Sequence, residues 1–409
     1  DLKLGGRNVV SGGAFAEALD NSNNPYKSKS TTPTVERIVF RTGTWRMKDF
    51  SRYGFGANDY RKNEPDLQGA DEAVDKAVYD IDNFKTNNKS GQYKAETKGV
   101  KFGLIELKAD MNLVGEGTVV DTIAFWEADD PDNTLMFVTA KGNQLVEVWK
   151  YPFEGNEQEP LRHSSFGTST VNGVAVDQEN DLLYVVTGDE ASTVSVFELP
   201  SLKFKYDFIK GKIALEGRLA ICLMRRKNGQ ELVFVTSETT VFIFDAKSLK
   251  QVGVIEPGFE IETAIADEYH DIVYVPEAHN NTGVWAYTPE GKSYTKNGKS
   301  NFGDNGIVQR DAEGIWIYYG SGQGSADHGS GFIILSDQRK DITDFEFFDR
   351  KSWEHLGVVR LTGVDTTDGI AVTQKSMRGY PMGVFAAIHD DTSTVVIGID
   401  MILKAISEN

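Results

Sequence analysis

The sequence predicts an all-β protein, a six-bladed β-propeller with an N-terminal extension. Three observations carry that prediction: six hairpin-like segments recur along the chain, short apolar strands fall between them, and long amphipathic helical patterns are nearly absent. The segments are 134–149 (TLMFVTAKGNQLVEVW), 182–199 (LLYVVTGDEASTVSVFEL), 231–247 (ELVFVTSETTVFIFDAK), 271–287 (DIVYVPEAHNNTGVWAY), 331–349 (GFIILSDQRKDITDFEFFD) and 383–400 (GVFAAIHDDTSTVVIGID). Each is a β-branched and aromatic strand, a short polar turn and a second strand. Aligning Thr139, Thr187, Thr236, Pro276, Ser336 and Ala387 gives spacings of 48, 49, 40, 60 and 51 residues, close to the ~40–50 of a four-stranded blade.

The intervening stretches 173–177, 263–266, 314–318 and 369–372 are apolar and short, as the innermost strand of a blade should be. A radial array avoids long exposed edges and is closed by mixing strands from both chain ends, for which 118–125 and the last hairpin are the expected pair. A β-sandwich with a second β-domain would explain the strand content but not the spacing. Residues 1–115 lack the repeat and are expected to form an extension packed on the propeller, which occupies 116–409. Within the extension, 35–44 and 99–111 read as strands, 59–98 is polar and charged, and 71–79 is a possible short helix.

Composition narrows the function. Of 409 residues 40% are hydrophobic, including 23 Phe, 15 Tyr and 6 Trp, so a sizeable core is available. No run of eighteen apolar residues offers a membrane span. Sixty-one acidic against 43 basic residues give a net charge of −18, which repels a phosphate backbone and argues against nucleic acid as a partner. An excess of carboxylate suits a binder of several divalent cations, though a plain soluble surface is the commoner reason for it. The single cysteine, Cys222, lies in an apolar run and cannot make an intrachain disulfide, a zinc knuckle or a CxxC pair. The chain starts at Asp1 without an initiator Met, which suggests processed material. The acceptor patterns at Asn88 and Asn280 are expected by chance in a chain this rich in Asn.

No Walker lysine motif, HExxH or GxSxG occurs, and the glycines at 320–324 have neither dinucleotide spacing nor a following helix pattern. The six histidines show no metal-ligand spacing. What stands out is a set of acids where a repeat begins its inner strand or crosses to the next: Asp121, Glu262, Asp267, Glu277, Asp311, Glu313, Asp365 and Asp368. In a propeller such equivalent positions converge on the central channel, where clustered carboxylates repel one another unless cations sit among them. Hard oxygen ligation of that kind suits Ca²⁺. Taken singly, each acid is as well explained as a turn residue.

From about 118 to 400 the chain resembles the β-propeller phytases, calcium-dependent enzymes that remove phosphate from inositol hexakisphosphate. Residues 120–126 (VDTIAFW) resemble the family's DDPAIW strand, and 132–141 resemble its next turn and lysine-bearing strand. Residues 260–269 (EIETAIADEY) with 272–277 (IVYVPE) are similar to EG-x-x-AD-x-EY followed by LYIAEE. The stretch 311–319 (DAEGIWIYY) resembles DIEGLTIYY, and 365–372 (DTTDGIAV) with 380–385 (YPMGVF) resemble DTDGIDV and YPFGLF. The segments recur in the family's order.

That resemblance implies calcium ligation by Asp121, Glu262, Glu277, Asp311, Glu313 and Asp368, with Glu262 and Glu313 also as catalytic carboxylates. It implies a phosphate contact at Lys141, a small-molecule phosphate ester as substrate, phosphoric monoester hydrolysis as the activity, and a secreted or extracellular location; Arg218 is the further candidate substrate contact, a cation that could compensate for those the family has and this chain lacks. Oligomeric state is not legible. Departures are also clear. Where the family has NN-x-D-x-R, residues 172–177 read NGVAVD, so Asp177 stands in place of a phosphate-binding arginine. A second family lysine is replaced at Ser237-Glu238, the DD pair is reduced to Val120-Asp121, and Glu262 is followed by Thr263 instead of glycine. Asp177 is therefore expected to disfavour a polyanion in the channel and Asp177→Arg to improve phosphate binding. A second expectation follows: a non-catalytic extracellular binding or assembly protein on the same fold. A third is an enzyme on acidic saccharides that sets Arg218 or Lys141 against a uronate.

Overall fold

The computed structural model describes residues 101–409 except 189–191, 210–212, 214, 280–282, 321–322 and 324–326, together with 2–4 and 7–9. Two compact units divide the chain, Asp1–Glu96 and Thr97–Asn409. In the first, β1 (Leu2–Leu4) and β2 (Arg7–Val9) form an antiparallel hairpin. The strand expected over 35–44 and the helix expected over 71–79 lie outside the described residues.

The second unit is nearly all β and forms six blades. Ahead of them come β3 (Leu104–Leu107) and β4 (Met111–Leu113). Blade one holds β5 (Val120–Trp126), β6 (Leu135–Ala140) and β7 (Leu145–Lys150), with an isolated bridge from Val146 to Leu161 on its outer side. Blade two holds β8 (Val171–Asp177), β9 (Leu182–Thr187), β10 (Thr193–Glu198) and β11 (Lys203–Phe208). Blade three holds β12 (Ile221–Arg225), β13 (Glu231–Ser237), β14 (Thr240–Asp245) and β15 (Lys250–Ile255). Blade four holds β16 (Ile265–Asp267), β17 (Ile272–Pro276), β18 (Val284–Tyr287) and β19 (Asn301–Phe302). Blade five holds β20 (Asp311–Tyr319), β21 (Gly331–Arg339), β22 (Ile342–Asp349) and β23 (His355–Leu361), and β3 adds a fifth strand parallel to β23. Blade six holds β24 (Ile370–Thr373), β25 (Val384–His389) and β26 (Ser393–Gly398). The chain ends in α1 (Ile399–Glu408), whose buried Ile399, Ile402, Leu403 and Ile406 lie at helical spacing.

All six hairpins expected from the repeat are present as the second and third strands of their blades. The first strands meet in a closed circuit, β5 to β8, β12, β16, β20, β24 and back to β5, and so line the axis. Ring closure differs from expectation. The strand paired with β26 is β4, with Val395 opposite Asn112, whereas 118–125 forms the axial strand β5 of blade one. Since every blade puts its first strand on the axis and its last at the rim, the free place beside β26 is peripheral and falls to the segment upstream of β5.

Core lies between blades rather than within one. β6 and β9 are buried along their whole length because a sheet faces them on each side, which is why they read as apolar runs without alternation. Ile123, Met136 and Val138 pack with Ala371, Val384 and Ala386 across blades one and six, and Phe345 meets Phe385 edge-on at 4.9 Å across blades five and six. Each of the larger of these side chains contributes about 1.5–3 kcal/mol by leaving water. Rim strands β11 and β15 open with lysine and stay exposed at their first residues, which suits an unpaired edge.

Candidate functional site

A cavity of about 850 Å³ follows the channel and is lined at one mouth by Asp121, Lys141, Arg218, Glu262, Glu313 and Asp368. These residues meet because axial strands start at that mouth and because two glycines let neighbouring blades touch there. A Cβ on Gly314 would lie 2.7 Å from the Asp368 carbonyl oxygen, and one on Gly369 would lie 2.3 Å from that of Asp121. Blades five, six and one therefore close up backbone to backbone right beside Glu313, Asp368 and Asp121. Register slips within β5 between Val120 and Ile123 and within β20 between Ala312 and Ile315; such bulges re-aim side chains that strict alternation would send elsewhere.

Lys141, from the turn after β6, places Nζ 2.8 Å from Asp121 Oδ1 and 3.6 Å from Asp368 Oδ2. Arg218 pairs through Nη1 with Glu262, and the same nitrogen stands 3.0 Å from His279 Nε2. His279 Nδ1 lies 3.1 Å from Asp311 Oδ1, so Arg218, His279 and Asp311 form a chain along the rim. Burial, then the charge of Asp368, pushes the Glu313 carboxyl up to about 8. Burial, then Asp121, pushes Asp368 up to about 7. Burial also raises Asp121 although Lys141 opposes it. For Lys141 burial works against the charge, but Asp121 and Asp368 outweigh it and hold the ammonium above its ordinary value. The mouth is thus short of positive charge.

Asp391, in the β25–β26 turn, belongs to this group and was missed in the sequence. Its Oδ1 is buried without a hydrogen-bond partner, and burial, then the charge of Asp368, raises its carboxyl. The Asp390-Asp391 pair in the last hairpin was the available signal, hidden because acids are ordinary in turns. Glu277 is buried beside this mouth on the end of β17, where Trp285 Nε1 donates to it at 3.4 Å, and is not part of the cavity wall. Asp267 is used elsewhere: it accepts from Arg350 Nη2 at 2.6 Å and Nε at 2.8 Å. Asp365 lies 3.4 Å from His389. Cys222 is buried on the channel, its thiol pushed up to about 12 by burial.

Asp177 overturns its expectation. It ends β8, whose start touches blade one near the acidic mouth through the Asn172 carbonyl and Thr122 Oγ1. Five residues of strand, at about 3.3 Å each, put it at the opposite mouth. There it accepts the amides of Glu179 and Asn180 and pairs with Arg225 Nη2 at 3.3 Å. It lines the same cavity, as a turn residue with an ion-pair partner at the end away from the acids that would meet phosphate.

The acidic mouth offers the hard oxygen donors that Ca²⁺ takes. Asp391 Oδ1 lacks any partner, and Glu313 and Asp368 resist ionising side by side, so a divalent ion would relieve both. Among the described residues no three His, Cys, Asp or Glu side chains form a ready-made metal cage, and Lys141 is paired with both Asp121 and Asp368. The donor chemistry fits the ion; its enclosure depends on where Lys141 points.

No helix among the described residues is long and apolar enough to cross a membrane. Among solved structures, a chain of "Crystal Structure of Mitotic Checkpoint Complex" is similar with 13% identity and a TM-score of 0.46, covering 71% of this chain and 91% of that one. A family model described as Phytase matches residues 225–406. That span contains Glu262, Glu277, Asp311, Glu313 and Asp368. Six blades around an acidic channel, together with this match over somewhat less than half of the chain, support a phytase-like β-propeller.

Proposed function

We propose that the protein is a calcium-dependent phosphoesterase that hydrolyses a phosphorylated small molecule at the acidic mouth. The observation that carries this reading is the meeting of Asp121, Glu313 and Asp368 with Lys141 and Arg218 on one cavity wall. Asp121, Glu313 and Asp368, with Asp391, Asp311 and the neighbouring Glu262 and Glu277, are the residues that would hold calcium. Calcium, when bound, supplies the positive charge that neutralises phosphoryl oxygens and lets an electron-rich nucleophile approach.

The chain's own cations do the rest of the binding. Lys141 and Arg218 contact phosphate oxygens, each charge-assisted hydrogen bond being worth about 1.5–3 kcal/mol. Glu313 stays with the acids that would hold the ion, and the leaving alcohol oxygen takes its proton from water as the phosphorus–oxygen ester bond breaks. Glu262, oriented by Arg218, accepts the proton of the attacking water. The family match supports an extracellular setting, where calcium is plentiful.

One observation favours the alternative of a non-catalytic extracellular binding or assembly protein: both cations are already paired, Lys141 with Asp121 and Arg218 with Glu262. Phosphate release from several monoesters, with Ca²⁺ and with chelator, separates the two. Release that depends on Ca²⁺ and is lost in Glu313→Ala is expected; no turnover above a metal-only control on any ester would leave the binding protein.

A further inference from the structure

We infer that the hydroxyls of Thr139 and Ser336 are positioning residues that clamp the bulged axial strands and thereby aim Asp121, Glu313 and Asp368 into one cluster. The inference rests on the reading of the acidic mouth as the reaction site.

Both side chains are fully buried on the second strand of their blades, at the repeat position shared with Thr187 and Thr236. Thr139 Oγ1 accepts the amide of Thr122 at 2.9 Å, inside the β5 bulge, and donates to the carbonyl oxygen of Asn172 in blade two at 2.6 Å. Ser336 Oγ accepts the amide of Gly314 at 2.6 Å, inside the β20 bulge, and faces the Thr367 carbonyl oxygen, in blade six, at 3.2 Å. Each hydroxyl thus fills an amide that the slipped ladder leaves without a strand partner and ties the bulge to the next blade. The residues so held adjoin the acids: Asp121 precedes Thr122, Glu313 precedes Gly314, and Asp368 follows Thr367. Thr236 Oγ1 binds the Ala220 amide in the same manner. Where the repeat position is Pro276 or Ala387 no hydroxyl is available, so the clamp is selective for certain blades.

A bulge without its hydroxyl would regain ordinary pairing or relax, and either motion turns Glu313 away from Asp368. In Ser336→Ala and Thr139→Val the acids should separate, whereas Ser336→Thr and Thr139→Ser keep a donor and acceptor in place. Crystal structures of Ser336→Ala and Ser336→Thr test the geometry directly. The expected result is a displaced Glu313 carboxyl in the alanine variant and a native position in the threonine variant; an unmoved Glu313 in Ser336→Ala overturns the inference, whatever calcium does. Thermal-shift titration with Ca²⁺ alone supplies a second readout. The concentration that half-saturates the shift should rise severalfold in Ser336→Ala and Thr139→Val, return in the hydroxyl-bearing variants, and stay unchanged in Ile255→Val, a truncation on the rim of blade three that controls for lost stability. A rise equal to that of Ile255→Val also overturns it. If wild type shows no calcium response, the reading of the mouth fails, and the crystal structures still decide the clamp.

Discussion

Glu127 of blade one accepts a hydrogen bond from Thr373 of blade six at 2.7 Å, joining the first and last axial strands at the mouth opposite the acids. The contact is one link in a circuit. Gln178 of blade two binds Glu127 in both directions, Gln374 of blade six does the same with Tyr319 of blade five, and Arg225 of blade three reaches both Glu268 and Asp177. Arg350, fully buried, fastens Asp267 of blade four to Asp327. One mouth is thus satisfied all round while the other holds excess negative charge, so the stabilising contacts and the candidate site are separated along the axis.

Glu127→Ala should break this circuit where the ring closes. It strands the Thr373 hydroxyl and the Gln374 amide, and a loss of about 1–3 kcal/mol is expected. Urea unfolding measures it, and the calcium midpoint in thermal-shift titration should not move, since the acids lie at the other mouth. A midpoint that shifts with the stability loss would mean that the two mouths are coupled.

The raised Glu313 carboxyl makes stability depend on pH in calcium-free buffer. Its folded value of about 8 stands above its ordinary 4.5, so its contribution to stability is complete below pH 4.5 and is lost as pH rises through 8. Glu313→Gln removes the ionising group at nearly constant volume. The variant should be more stable than wild type at pH 8.5, by on the order of 3 kcal/mol, and little different at pH 4.5. Melting curves in chelator across that range check the sign; a variant less stable than wild type at pH 8.5 would contradict the burial and charge crowding described for this mouth.

Asp177→Arg should not improve binding of phosphorylated ligands, contrary to the expectation from the family's arginine. The new guanidinium would face Arg225 and leave the exposed Glu179 and Asn180 amides to water in place of their acceptor, a loss of about 0.5–1.5 kcal/mol. Calorimetric titration of a phosphate monoester into wild type and variant reads this directly, and tighter binding by the variant would return Asp177 to the phosphate site.

By itself the sequence determined the architecture, because a propeller is built from local units. Each hairpin is legible from alternation, turn residues and β-branched content within about 20 residues, and six repetitions leave few other folds open. The acids at Asp121, Glu313 and Asp368 were legible for the same reason: the DAEG and DTTDG stretches stand at the starts of repeats. Only the tertiary structure decided what meets what. Peripheral closure by β4 depends on which strand finds β26, a pairing across nearly the whole propeller. Asp391 joined the site because the last hairpin turn folds back beside Val120, whose amide binds its carbonyl oxygen at 2.8 Å. Asp177 left it because an axial strand separates its two ends by the length of the channel, and sequence proximity to Asn172 says nothing about which mouth a side chain serves. Charge crowding at Glu313 has only a partial local signature in Asp311, since its largest charge contribution comes from Asp368, distant in sequence and brought close where two glycines let three blades touch.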